Sequence, residues 1–195
     1  MNISFRENSI VILASSHNPS LMGDNFLLKS GMIENIETII RNNSFFTPAI
    51  SQVNINDGSS IVLDESRLML KSPQINKAAI MADAYAKSLP FIKCNAIGLN
   101  FEFRINDYEF NNWVRIENLK KFPEKKIGEI GISIKIEENL MPNIQISILN
   151  EKSADVRFNF HYPIEMKTFS DIDFNLIDQS KFLHSKALEL ISQLF

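Results

Sequence analysis

A chain of 195 residues, of which 45% are hydrophobic and 22% charged, has the size and composition of one globular domain with its own core. Its 20 basic and 23 acidic residues give a net charge of −3, without the excess of positive charge that marks nucleic-acid-binding surfaces. The single cysteine excludes an internal disulfide, and no apolar run reaches the roughly 18 residues of a membrane-spanning helix, so we expect a cytoplasmic protein without membrane contact.

The first part of the chain is predicted to form strands with one short helix among them. An almost continuous apolar run over 9–16 predicts a strand that is covered on both faces. Apolar spacing over 32–41 indicates a short helix. Two apolar runs, 49–55 and 59–64, flank an Asp-Gly turn and predict a hairpin, and a third strand is expected at 67–70.

A helix is expected next. Ser72 is a favourable cap and Pro73 suits a first helical position, so the two residues predict a helix over 74–89. Small and apolar side chains recur along one face of this segment, with Ala82 near its middle, and Pro90 ends it.

The clearest strand follows the helix. Apolar residues at 99, 101, 103 and 105 alternate with polar residues, which places the two sets on opposite faces of a sheet. A short helix is expected at 107–119. Strands with the same alternation are predicted at 130–136, 144–148 and 156–162, and a further strand at 171–175.

The last element is a helix over about 179–194, with an apolar stripe and with Asp178 or Ser180 as its cap. The order of elements predicts an α+β fold, with a mostly antiparallel sheet and about two main helices packed on one face. The order of strands followed by a helix occurs twice. We expect a single domain over 1–195, and an organisation in two halves around 1–106 and 107–195 is the alternative.

Residues that commonly carry chemistry are sparse. The histidines, His17, His161 and His184, are far apart, and one cysteine leaves no Cys-His spacing for a metal. No glycine pattern for phosphate binding and no motif of a nucleophilic enzyme is present. Cys94 is expected to be a small buried apolar residue. We therefore predict no metal, no cofactor and no catalytic residue.

The polar faces of the long strands are the most suggestive feature. If the strands at 99–105 and 156–162 are neighbours, their outward residues share one surface. This surface is a solvated sheet face, a binding surface or a subunit interface, and a remote alternative is catalysis with Glu102 as base and His161 as acid. The candidate binding residues are Glu102, Arg104, Arg157, Asn159 and His161.

Short segments resemble known families. In the first half of the chain, a set of segments in a shared order resembles a family of uncharacterised bacterial proteins of similar length: 9–12, 17–20, 26–27, 31–33, 47–48, 52–53, 57–58 and 95–100. The ending, 171–173 followed by a helix with His184 and Phe195, is similar to a second, sporadic family of uncharacterised bacterial proteins. Neither resemblance implies an activity or a site, and both imply a bacterial cytoplasmic accessory protein.

Together these observations predict a non-enzymatic binding or assembly module that self-associates, because a large sheet has edges that must be covered or protected. A protein partner is the alternative occupant of its surface. Nucleic acid and membrane are not expected as partners. The competing interpretation is a small-molecule enzyme with its site on the polar face of the sheet.

Overall fold

The protein is an α+β protein built on one antiparallel sheet, as the sequence predicts. The computed structural model describes residues 1–110, 129–135, 142–172 and 175–195. In these residues the strands are β1 (Asn2–Ala14), β2 (Phe45–Phe46), β3 (Ile50–Asn54), β4 (Ser60–Asp64), β5 (Arg67–Ser72), β6 (Lys93–Asn106), β7 (Glu129–Ser133), β8 (Asn143–Asn150) and β9 (Ser153–Thr168). The helices are α1 (Asp24–Ser30), α2 (Lys77–Ser88) and α3 (Leu176–Leu194).

The nine strands form one sheet in the order β2-β3-β4-β5-β1-β6-β9-β8-β7, and every neighbouring pair is antiparallel. Its two sides repeat one arrangement. On one side, the meander β3-β4-β5 runs inward to β1 and is followed by α2; on the other, β7-β8-β9 runs inward to β6 and is followed by α3. The two arrangements meet between β1 and β6. The single domain, and its division near residue 106, stay predictions.

The helices α2 and α3 pack on the same face of the sheet. Ile12 of β1 and Ile97 of β6 line a cleft of about 360 Å³, together with Ala86 of α2 and Leu176 of α3. Burial of the apolar residues on this core face is the main source of stability. None of the helices among the described residues has the length and hydropathy that a bilayer crossing requires.

Aromatic rings form the layer between α3 and the centre of the sheet. The ring of Phe103 lies edge-on to Phe5 at 5.7 Å and to Phe158 at 6.0 Å, both preferred aromatic geometries. The imidazole of His184 on α3 lies in the same cluster, 5.5 Å from Phe103 and 5.9 Å from Phe101. The alternation from residue 99 onward therefore assigned the core face of β6 and β9 correctly.

The helix predicted at 32–41 is wrong. Apart from a 3₁₀ turn at Ile36–Thr38 and the first residue of a second one at Arg41–Asn43, this segment has no helical structure. Asn35 initiates the turn by accepting a hydrogen bond from the Glu37 amide at 2.9 Å, and Ile39 then forms a β-bridge with Ile55. Asparagine side chains and β-branched residues favour such local bonds and extended backbone over a continued helix.

Two helix starts also differ from the prediction. α2 begins at Lys77 rather than at 74, because Ser72 is part of β5 and its hydroxyl accepts the Gln74 amide at 3.0 Å in a turn. α3 is capped by Asn175, whose side-chain oxygen accepts the amides of residues 177 and 178, so Asp178 and Ser180 as caps are wrong.

Two further predictions concern short elements of the second half of the chain. The strand predicted at 171–175 is not present in the described residues of that segment, because Asp171 ends a 3₁₀ turn and Asn175 caps α3. Residues 173 and 174 lie outside the described residues. The helix expected at 107–119 lies outside the described residues from position 111 onward, as does residue 136 of the strand predicted at 130–136.

His17 is a structural residue of the loop after β1. The residue is only 4% exposed. The Tyr85 hydroxyl of α2 lies 2.7 Å from Nδ1, and the Ile12 carbonyl lies 3.3 Å from Nε2. A neutral imidazole that donates from Nε2 and accepts at Nδ1 satisfies both contacts. His17 therefore connects the loop after β1 to α2.

Acidification below neutral pH is expected to destabilise the protein. Burial lowers the pKa of His17 and of His184 below the ordinary 6.5, so the fold holds both neutral while the unfolded chain protonates them below that pH. Above pH 6.5 both histidines are neutral in the folded and in the unfolded chain and do not make the free energy of unfolding depend on pH. As the pH falls from 6.5 toward the lowered folded pKa, the free energy of unfolding decreases by up to about 1.4 kcal/mol per pH unit for each histidine. Urea denaturation at a series of pH values measures this loss.

A matched variant isolates one of the two histidines. His184→Phe keeps an aromatic ring in the cluster and removes the titratable group, so we expect a shallower loss of stability with acid. Carboxylates affect stability in a separate, more acidic pH range. The hydrogen bond from Arg41 lowers the pKa of Asp24 below the ordinary 3.8, so the stability that this ion pair contributes is lost only below that pH. An unchanged pH dependence in His184→Phe would contradict the prediction for this residue.

Candidate binding surface on the open face of the sheet

The face of the sheet opposite α2 and α3 is covered by no described helix, and we call it the open face. Its residues alternate with the buried residues of the core face along each strand. The central part of the open face comprises Glu7, Ser9 and Val11 of β1, Met69 and Lys71 of β5, Gly98, Asn100, Glu102 and Arg104 of β6, and Asp155, Arg157, Asn159 and His161 of β9.

The register of β6 and β9 brings the predicted site residues onto this one surface. Glu102 lies opposite Arg157. Further pairs follow at every second position, and they are Arg104 with Asp155, Asn100 with Asn159, and Gly98 with His161. The predicted residues are therefore neighbours, as the alternation of the two strands requires. Their role in binding stays a prediction.

Two ion pairs form a checkerboard of charge at the centre of β6 and β9. Arg157 Nε donates to Glu102 Oε2 at 2.7 Å. Arg104 donates to both carboxylate oxygens of Asp155, at 2.9 Å from Nη2 and with a further short bond from Nε. The hydrogen bond to its carboxylate raises the pKa of each guanidinium, so Arg104 and Arg157 stay charged at physiological pH. Along each strand, and across the two strands, negative and positive charges alternate.

A third ion pair, between Lys71 Nζ and Glu7 Oε1 at 3.1 Å, extends the charged surface onto β1 and β5. Glu7 lies directly opposite Glu102, and adjacent like charges destabilise a sheet unless cations offset them. Lys71 on one side and Arg157 on the other supply these cations. Arg157 lies in the same cross-strand row as the two glutamates, and Lys71, which lies opposite Ser9, reaches Glu7 diagonally.

Sequence reasoning missed Glu7, Lys71 and Asp155. Asp155 follows the same alternation as Arg157 and could have been found from it. Glu7 was harder to find, because a register shift between Phe5 and Glu7 interrupts the alternation of β1 and the predicted strand began only at residue 9.

A concavity of about 390 Å³ lies on the open face. Of the predicted residues, Glu102, Arg157 and Asn159 line it, and Arg104 and His161 do not. Val11 and Met69 form an apolar end. The concavity is within the size range of ligand sites, and it presents carboxylate, cationic and amide groups together with an apolar area.

Asn100 has an unsatisfied polar atom at this surface. Its Nδ2 donates to Ser9 Oγ at 3.2 Å. Its Oδ1 is buried and has no hydrogen-bond partner among the described residues. A buried acceptor without a partner costs free energy, so this oxygen reduces the stability of the sheet at this position.

The geometry does not favour proton transfer on this face. Glu102 and the position opposite His161 are separated by four residues of β6, or about 13 Å along the strand. That separation is too large for one acid–base couple acting on the same bond. Burial raises the pKa of the Cys94 thiol to about 11, so it stays protonated and is a poor nucleophile. Within the described ranges, no group of three metal-ligating residues is present.

Comparisons with known proteins do not assign a family. No family model matches the chain, and no curated protein sequence matches it. The solved structures that align with it include a rolling circle replication initiator protein from Geobacillus stearothermophilus, at a TM-score of 0.30 and 7% identity over 82% of this chain and 74% of that chain. An alignment at that score does not establish a shared fold, so no property of the initiator is carried over. The resemblance to uncharacterised bacterial families stays a prediction.

Proposed function

We propose that the protein is a non-enzymatic binding and assembly module of the bacterial cytoplasm that self-associates, with a second copy of the chain on its open face. The observation that carries this proposal is the open face itself, where ion pairs are already matched within the chain and lie beside an apolar area. Charges that are paired before contact lose less hydration on burial than isolated charges do.

The size of the open face suits an interface. The five strands β5, β1, β6, β9 and β8 at the usual spacing are about 24 Å across; with the six residues of β5 and about eight of each other strand, at about 3.3 Å per residue, the flat area is roughly 600 Å². Side-chain relief raises the accessible area above this value, toward the roughly 800 Å² per partner of a standard protein interface. Antiparallel sheets pack face to face at about 10 Å in many proteins, so a second sheet is a suitable occupant.

The same surface is a poor match for nucleic acid. Each cation of the open face described above, Lys71, Arg104 and Arg157, is bound to a carboxylate of the same chain. A phosphate backbone attracts uncompensated positive charge, and this surface has no net excess of it.

Light scattering over a dilution series is expected to show a dimer or a larger oligomer. The dimer should weaken as salt concentration rises, because screening reduces the attraction between charged surfaces. A monomer at high protein concentration would contradict self-association. It would favour the second candidate function, a small-molecule site in the concavity, to which the volume of about 390 Å³ and the presence of both charge signs point.

A further inference from the structure

We infer that two copies pack open face to open face about a twofold axis that runs parallel to the strands, over the gap between β6 and β9. The inference rests on the proposed self-association and specifies its geometry. It follows from the arrangement of charges, from one glycine and from a pair of facing amide side chains on these two strands.

The checkerboard of charge is complementary to itself about this axis. Such a rotation places β6 of one copy over β9 of the other, at the same height along the strands. Glu102 then faces the partner subunit's Arg157, and Arg104 faces the partner subunit's Asp155. Both contacts occur twice, because a twofold interface is isologous. Each charge keeps the partner in its own chain and gains an opposite charge from the second copy.

The next pairs along the strands also match in shape and hydrogen bonding. Asn159 faces the partner subunit's Asn100, so two amide side chains, each with donors and an acceptor, meet across the interface. His161, which is exposed, faces the partner subunit's Gly98, where the absence of a side chain leaves a depression. A projecting ring and a depression are complementary surfaces.

The neighbouring parallel axis is unfavourable. An axis over the gap between β1 and β6 would place Glu7 against the partner subunit's Glu102, since the two residues are cross-strand neighbours. Like charges in contact across an interface strongly disfavour association. Of these two axes, the charge pattern therefore favours the one over the gap between β6 and β9.

The first test compares two charge reversals. Arg157→Glu places negative charge beside Glu102 in the same chain and against it in the second copy, and we expect the dissociation constant of the dimer to rise more than about tenfold. Arg41→Glu is the matched control, because it breaks the ion pair with Asp24 outside the sheet and should leave the dimer unchanged. Sedimentation measures association, and circular dichroism checks that each variant is folded.

A charge swap tests the direction of the axis. Glu102→Arg combined with Arg157→Glu restores the pair within the chain and, for an axis parallel to the strands, the contacts between copies. We expect this double variant to dimerise again. About an axis perpendicular to the strands, position 102 would face Arg104 and position 157 would face Asp155, so the swap would bring like charges together. A folded double variant that stays monomeric would overturn the proposed axis.

Gly98→Val supplies a test without charge. A Cβ at position 98 would meet Val11 Cβ at 3.8 Å, an ordinary contact, so the variant should fold. It fills the depression that receives His161, and we expect the dimer to weaken at least about tenfold. If the wild type dimerises and both Arg157→Glu and Gly98→Val leave the dimer intact, this interface is wrong while self-association stands. A monomeric wild type would overturn self-association itself.

Discussion

Replacing Ala82 by proline is expected to leave the protein unfolded. Ala82 is fully buried in the interior of α2, between Lys77 and Ser88. Proline removes a helix hydrogen bond and its ring clashes with the preceding turn, at a cost of about 3 kcal/mol or more. Here the distortion falls on the buried face that packs against β1, β5 and α3, so lost core packing adds to the cost. The total is a large part of the roughly 5–15 kcal/mol that stabilises a typical domain.

Circular dichroism and gel filtration of Ala82→Pro give the measurement. We expect loss of the cooperative thermal transition, or insoluble protein. Ala82→Gly is the control at the same position, with an expected cost of about 1 kcal/mol from helix propensity and a somewhat larger total because a buried methyl group is lost. A soluble Ala82→Pro variant with the thermal transition of the wild type would contradict the assignment of α2 as a core helix.

Truncating Phe103 to alanine is expected to cost about 3–5 kcal/mol of unfolding free energy. Its ring is fully buried at the centre of the aromatic layer, where it contacts Phe5, Phe158 and the imidazole of His184. Removing the ring leaves a cavity that three aromatic neighbours, each held by its own packing, cannot fill. Urea denaturation measures the loss.

Phe91→Ala is the matched control for this truncation, because the same chemical change is made at a side chain that is 84% exposed. We expect its stability to lie within about 0.5 kcal/mol of the wild type. Similar losses for the two variants would show that the aromatic layer is not the centre of the core. Phe103 also lies between Glu102 and Arg104 on β6, so the same strand supports the core on one face and the charge pattern on the other.

Local patterns predicted much of the fold. Strict alternation along β6 and β9 assigned their core and open faces, because successive side chains of a strand point to opposite sides. The Asp-Gly turn predicted the hairpin of β3 and β4, and Gly58 has the positive φ of 87° that such a turn requires. Predictions failed where a side chain competes for backbone hydrogen bonds, as Asn35 and Asn175 do.

By itself, the sequence determined the fold class and which residues point away from the core, since both follow from local periodicity. Only the tertiary structure decided which of these residues meet. The pairing of Glu102 with Arg157 depends on a register between strands that the chain separates by about fifty residues, and no local signal encodes that distance. The position of Glu7 beside Glu102 depends on a register shift in β1. The checkerboard of charge is therefore a property of the assembled sheet, because it arises from the alignment of distant strands.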